Sequence, residues 1–351
     1  MESQHVNSEQ LNSQRPNRQQ HGTEPAQMVE QQQVDAFAQW FGILVRNVGT
    51  VIKGKDDQIA LALVCLFAEG HLLVEDKPGT GKTSLAKSIA NSFAGDWSRI
   101  QFTPDLLPSD VTGGLVYHQG TGDFRFVPGP VFSNVVLADE INRASPKTQS
   151  ALLEAMEERQ VTTGTATRKL PRPFVVIATQ NPEEQEGTYR LPEAQLDRFL
   201  MRTSLGYPDR DAEADVLRTV AAGIDASSVE AILSTEDVRK LILVAGGVHL
   251  EDNIRRYIVD ICAVTRHMPE LRLGVSTRGC IALMKSSRAL AASQGRIYVT
   301  ADDVKTVAHA VMEHRMLLTL DAQLRDVATE HLVDRALESQ SGVLTTVRSE
   351  R

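Results

Sequence analysis

Residues His71 to Thr83, HLLVEDKPGTGKT, restrict the fold of this chain more than any other stretch. Leu72, Leu73 and Val74 read as a short apolar strand, Pro78 to Gly81 as a turn, and Lys82-Thr83 as the start of a helix that continues through Leu85, Ala86, Ile89 and Ala90. Gly79 and Gly81 lack a Cβ, so the backbone can curl with its N–H groups inward, at the positive end of the following helix dipole. A polyphosphate fits such a cradle, built from Asp76, Pro78, Gly79, Thr80, Gly81, Lys82, Thr83 and Ser84. Lys82 would reach the β and γ phosphates, and the Thr83 hydroxyl would complete a Mg²⁺ shell. The general pattern G-x-x-x-x-G-K-[ST] has glycine where this chain has Asp76, but the strand before and the helix after supply the context the pattern requires. The bland alternative is a glycine-rich turn that happens to precede a lysine.

A chain of 351 residues has room for two or three domains, each with its own core. The formal net charge of −8 leaves no basic stripe of the kind that advertises nucleic acid, although a pore or loop can be locally basic in an acidic protein. Cys65, Cys262 and Cys280 are far apart among apolar neighbours, with no metal-ligand spacing, and read as buried thiols in a reducing compartment. The N-terminus lacks the succession of a signal peptide, and the longest apolar run, Ile59 to Ala68, is too short to span a bilayer. A cytoplasmic location without membrane insertion is the expectation.

Residues 1 to about 33 are polar and cannot repay the entropy of ordering, so a disordered tail is expected. An amphipathic helix begins near Val34 with Phe37, Trp40, Phe41, Leu44 and Val45 at helical spacing. The turn Ile52-Lys53-Gly54 precedes a second helix from Asp56; Gly54 lies either against an adenine or in an ordinary loop. Beyond the cradle, Ile100 to Phe102 reads as a strand, and Leu115 to Val127 as a hairpin that interrupts the α/β alternation.

Val135 to Ala138 reads as a buried parallel strand running straight into Asp139-Glu140, at the end where ligands sit in an open sheet. Asp139 can hold the Mg²⁺ shell through water, and Glu140 can orient and polarise an attacking water. A helix from Pro146 and a second hairpin lead to another buried strand, Phe174 to Ala178, whose tip carries Asn181. Its amide can touch the γ-phosphate or the water, or simply form a turn before Pro182. Arg198, at the end of a short helix after Pro192, is either a salt-bridged surface residue or an arginine finger reaching a neighbouring subunit's phosphate. From Asp209 onward no strand is evident and the chain reads as helical. There Arg278 falls in the first turn of a helix starting at Ser276, where a cation opposes the helix dipole. Nucleotide phosphate or a structural ion pair would compensate it.

The motifs HLLVEDKPGTGKT, IQFTPDLLPSD, GPVFSNVVLADEINRASPKTQSALLEAMEE, VVIATQNPEEQEGTYRLPEAQLDRFLM and GVSTRGCIAL occur in order, and the chain resembles a MoxR-type AAA+ ATPase of the helix-2-insert clade from about Val34 to Leu317. The ED-x-PG form with Asp76 is itself similar to the family's. The resemblance implies an α/β fold, a P-loop AAA+ core with a parallel sheet flanked by helices, followed by a smaller all-α lid domain. The expected division is a tail at 1–33, the nucleotide-binding domain at 34–206, the lid at 207–317 and an extension at 318–351. The resemblance further implies Walker A at Lys82 and Thr83, Walker B at Asp139 and Glu140, sensor 1 at Asn181, the arginine finger at Arg198 and sensor 2 at Arg278. It also implies ATP and Mg²⁺, a hexameric homo-oligomeric ring, and chaperone-like work on protein clients, often with von Willebrand factor A domain partners. Arg190 departs from the family's usual proline and is either a second trans-acting arginine or nothing. In the mechanism expected, Arg278 contacts phosphate from the lid while Lys82 holds it from the core. A DNA-acting motor and a nucleotide-switched scaffold with little turnover are the rival readings.

Overall fold

The computed structural model describes residues 29–120, 122–164, 166–181 and 189–340. Most of the expected polar tail, the segment 182–188 within one of the motifs, and residues 341–351 lie outside them.

The chain opens with α1 (Gln31–Gly49) and α2 (Asp56–Phe67), then β1 (Leu72–Glu75), α3 (Lys82–Ser92) and β2 (Trp97–Gln101). A short α4 (Pro108–Thr112) leads into the hairpin β3 (Gly113–His118) and β4 (Asp123–Pro128). Next come β5 (Val135–Asp139), α5 (Pro146–Glu158), the hairpin β6 (Gln160–Thr163) and β7 (Ala166–Lys169), and β8 (Val175–Gln180). The turn α6 (Glu193–Leu196) and β9 (Met201–Thr203) complete the α/β part. Helices α7 (Arg210–Ala221), α8 (Thr235–Gly247) and α9 (Asp252–Thr265) follow, then β10 (Leu271–Leu273), α10 (Thr277–Ser293), α11 (Ala301–Met312), β11 (Leu317–Leu318), α12 (Leu320–Leu324) and α13 (Thr329–Ser339).

Five strands form one parallel sheet in the order β2-β5-β8-β1-β9. Strand residues alternate between two faces, and each face has its own core. Leu72, Val74, Val135, Leu137, Val175 and Ile177 pack on one side with α1, α2, α3 and the lid helices. Leu73, Val136, Ala138, Val176 and Ala178 pack on the other with Leu152, Leu153 and Met156 of α5. The lid therefore shares a core with the sheet, and α10 packs against α1, α2 and α8 as well as its lid neighbours α9 and α11. Phe37 of α1 meets Phe67 of α2 at 4.8 Å between ring centroids; deleting that buried ring costs about 3–5 kcal/mol.

Three boundaries differ from the sequence reading. Helix α1 starts at Gln31, because Gln33 and the Glu30 backbone cap each other before the apolar face begins. The lid is not free of strands: Leu271–Leu273 pairs antiparallel with Leu317–Leu318. Two or three residues carry too little alternation to signal a strand, and the partners are distant in sequence. The expected extension from 318 onward is not a separate piece: it docks through Leu332, Val333 and Ala336 of α13, packed against α9 and α11.

Candidate active site

The cradle forms where β1 ends. Gly79 and Gly81 have φ of +83° and +88°, a region L side chains rarely adopt, so a side chain there would strain the loop whatever room it had. Asp76, Pro78, Gly79, Thr80, Gly81, Lys82, Thr83 and Ser84 line a cleft of about 380 Å³ together with Arg99, Asp139, Glu140, Thr179, Gln180 and Asn181. Three separated strands thus deliver the expected phosphate loop, the acid pair and Asn181 to one place. Lys82 Nζ donates to the carbonyls of Lys77 at 2.7 Å and Asp76 at 3.3 Å, which holds the loop closed around its own backbone.

Asp76 has a role its position in the cradle did not reveal. Its buried carboxylate accepts from the Lys77 amide and, through Oδ2, from the amides of Leu205 and Gly206 at 2.9 and 2.8 Å. The side chain therefore pins the loop after β9 to the cradle. Gly54, with φ +65°, does not line the cleft; a Cβ there would lie 2.6 Å from Ala212. It allows α7 to approach the 52–55 turn, where Lys55 Nζ donates to the Tyr207 carbonyl and Ile52 lies beside Gly81.

The acid pair is held by neighbours that the local motif did not name. Thr179 donates its hydroxyl to Asp139 Oδ1 at 2.6 Å and accepts from the Glu140 amide at 2.8 Å. Arg99 of β2 contacts Asp139 Oδ2 through Nη2 at 2.6 Å and Nε at 3.2 Å. The same Nη2 meets Gln101 Oε1 at 2.7 Å, and Gln101 Nε2 donates to Glu140 Oε2 at 2.7 Å. Glu140 itself has φ +56°, a conformation that is strained for a side chain of its size and concentrated at functional sites. The donor set suits magnesium: the hydroxyl of Thr83 and the carboxylate of Asp139 are hard oxygens facing one cleft, and this ion usually keeps most of its waters.

Arg198 and Arg278 lie elsewhere. Both pair with Glu157 near the end of α5, Arg198 at 3.1 Å and Arg278 in a close contact. They line a second cleft, of about 230 Å³, with Arg159, Lys285 and Arg315. That cleft also includes Glu69, Gly70 and His71, which precede β1, whereas the cradle follows it. The four residues of β1 rise roughly 13 Å, so the arginines sit at the opposite end of the parallel strands from this chain's own cradle. The expected clamp of Lys82 and Arg278 on one nucleotide is therefore corrected: within this chain Arg278 is compensated by Glu157, and the two cations face different ends of the sheet. Arg190 is exposed, beside the segment outside the described residues.

Asp197 ties the arginine end to the lid. One carboxylate oxygen accepts from Arg315 Nε at 2.8 Å and the other from the hydroxyl of Ser276, the cap of α10, at 2.9 Å. Burial lowers the Arg315 pKa, while the neighbouring Asp197 charge raises it. His71 is buried beneath: its Nδ1 accepts from the Val176 amide, so Nε2 carries the proton and donates to the Met156 carbonyl. Burial, with help from the Arg159 charge, brings its pKa down to about 3, so the imidazole stays neutral. Of the cysteines, Cys65 and Cys262 are buried as expected, but Cys280 is only half-buried, 3.8 Å from Arg266.

A phosphate loop opening onto a parallel sheet, an acid pair at the tip of β5, which β8 separates from β1, and a helical lid define a P-loop ATPase of the AAA+ type. The sequence profile of the "ATPase family associated with various cellular activities (AAA)" matches residues 71–201, and that of the "AAA lid domain" matches 263–336. The chain is 48% identical over 292 residues to the uncharacterised YeaC of Bacillus subtilis, covering 83% of this chain and 91% of YeaC. It is 40% identical to the chaperone MoxR1 of Mycobacterium tuberculosis, covering 84% and 80%, and 31% identical to MoxR of Paracoccus denitrificans, covering 77% and 86%. A crystal structure from Cytophaga hutchinsonii described as a candidate ATPase superposes with a TM-score of 0.82 at 38% identity, covering 88% of this chain and 96% of that one. The chain belongs to the MoxR family of AAA+ ATPases.

Proposed function

We propose that this protein hydrolyses ATP at the junctions between copies of itself in a ring, hexameric as the family resemblance implies. The observation that carries this reading is the separation of two half-sites: the cradle at one end of the sheet and the paired arginines at the other. In the proposed mechanism Lys82 and the amides of the 78–83 loop bind the triphosphate. Magnesium, held by Thr83 and Asp139, would spread the charge of the β and γ phosphates. Glu140 orients the water and takes its proton, and Asn181 fixes the water or a γ-oxygen. Arg198, joined by Arg278, arrives from the neighbouring subunit to stabilise the charge that develops on the transferred group.

Movement follows from the same parts. Arg278 belongs to α10 of the lid and Arg198 to the core, so a neighbour's γ-phosphate that binds both competes with Glu157 for them. Its loss on hydrolysis returns them to Glu157 and resets the lid. The hairpin of β3 and β4, with Leu115, Val116, Tyr117 and Phe124 exposed, would carry this movement to a protein client. A chaperone-like remodelling role, with von Willebrand factor A domain proteins among the partners, is the reading that the MoxR1 name and the family resemblance support. Among the described residues no helix is long and apolar enough to cross a membrane.

The test mixes two inactive variants. Lys82→Ala removes the cradle cation and Arg198→Ala the distant one. Each alone should lack turnover, and the mixture should regain part of it, because a subunit intact at the cradle can meet one intact at the arginine. No recovery, with both variants shown to assemble together, would place the arginine in the same chain's site.

A further inference from the structure

We propose that Arg99 is the residue that Mg²⁺ must displace from Asp139 when nucleotide loads, so that this arginine sets how much metal the site needs. The inference rests on the nucleotide reading above and adds a positioning residue that the phosphate-loop and acid-pair motifs do not contain.

Four observations carry it. Arg99 is on β2, the edge strand next to β5, and the β2 register sets Gln101 opposite Asp139. Residues alternate along that strand: Ile100 is buried in the core, while Arg99 lines the cleft with Lys82, Thr83 and Asp139. Asp139 has both carboxylate oxygens engaged, Oδ1 by the Thr179 hydroxyl and Oδ2 by two nitrogens of Arg99. Finally, the Arg99 side chain is 47% exposed, against 12% for Asp139, so the cation can leave toward solvent or phosphate while the acid stays fixed.

The electrostatics then favour exchange. The guanidinium neutralises an acid held largely out of water and offsets the charge of the adjacent Glu140. A divalent cation near Asp139 repels Arg99 and takes over its oxygen, while the triphosphate offers the displaced guanidinium new acceptors within the same cleft. Both ions compete for one carboxylate oxygen, so the apparent metal affinity is reduced by the strength of the arginine's hold. Leaving Asp139 also detaches Arg99 from Gln101, whose other end holds Glu140.

The experiment titrates Mg²⁺ into full-length protein and follows binding of a fluorescent ADP, comparing the wild type with Arg99→Ala and Arg99→Lys. Arg99→Ala should reach half-maximal binding at roughly two- to fivefold lower Mg²⁺, the size expected when a half-exposed ion pair no longer competes. Arg99→Lys, which keeps the charge but cannot reach one oxygen through two nitrogens, should fall between them. A melting series separates this role from a structural one: Arg99→Ala should lose stability in EDTA and little of it in saturating Mg²⁺ and ADP. An unchanged or higher Mg²⁺ midpoint, or equal losses of stability in both conditions, overturns the proposal. If the wild type itself bound no nucleotide at saturating Mg²⁺, the nucleotide reading would fail instead.

Discussion

The two ends of the β-sheet are built on different logic. At the carboxyl ends of β1, β5 and β8, the loop amides, Lys82, Asp139 and Asn181 converge within one chain, and the acid pair has internal partners in Thr179, Arg99 and Gln101. At the amino ends, Arg159, Arg198, Arg278, Lys285 and Arg315 crowd around Glu69, Glu157 and Asp197, so cations outnumber the acids and no phosphate loop is near. One end has the fittings for a triphosphate and a metal. The other has an excess of positive charge that is only partly answered by its own chain. Under the proposed function, the two ends complete one another only when two copies of the chain meet.

That contrast can be broken most sharply at Arg198. Its replacement by alanine should reduce turnover by roughly three to five orders of magnitude while ADP affinity of the unassembled chain stays the same. Weaker binding by the isolated chain would put the arginine at its own cradle. Glu140→Gln acts at the opposite end and should cost roughly a hundredfold to ten-thousandfold in turnover with nucleotide binding retained, as measured by ADP release and equilibrium binding. Hydrolysis at the wild-type rate would remove Glu140 from the chemistry. Asp76→Ala leaves three backbone amides without their acceptor, and each such loss costs about 1–3 kcal/mol where it is buried, so melting should fall by several degrees and nucleotide affinity with it. An effect on affinity alone would mean that Asp76 touches nucleotide directly.

The smallest effect concerns His71, beneath the arginine end. Its folded pKa is about 3, against 6.5 for the free side chain, so the unfolded chain binds the extra proton in between. Stability from this group is complete above pH 6.5 and declines as the pH falls toward 3. Melting of the wild type should therefore decline between pH 6.5 and 5, and His71→Gln, less stable at pH 7.5, should show a flatter profile across that window. Parallel profiles would place the acid sensitivity elsewhere.

The carboxyl end was legible because its residues are contiguous or sit at strand tips, where local pattern and chain order give the geometry. The phosphate loop, the buried strands before Asp139 and Asn181, the interrupting hairpin and the helical lid all follow from such signals. The amino end was not legible, since Glu157, Asp197, Arg278 and Arg315 come from separate elements whose meeting depends on how the lid packs. Arg278 looked like a cation in search of phosphate because its place in the first turn of α10 was readable, whereas the Glu157 carboxylate opposite it was not. Arg99 and Gln101 were hidden for a related reason: in an edge strand their alternation marks a polar face, without saying which carboxylates lie across it. The ribbon of β10 and β11 had too few residues to signal itself.

Asp197 joins the lid to the arginine end through a single side chain. It fastens the lid's Ser276 and Arg315 to the residue immediately before Arg198, which makes a lever with a very short arm. If Arg198 serves a neighbour as proposed, a tilt of α10 would reach that guanidinium directly, and successive sites would fire in order rather than independently.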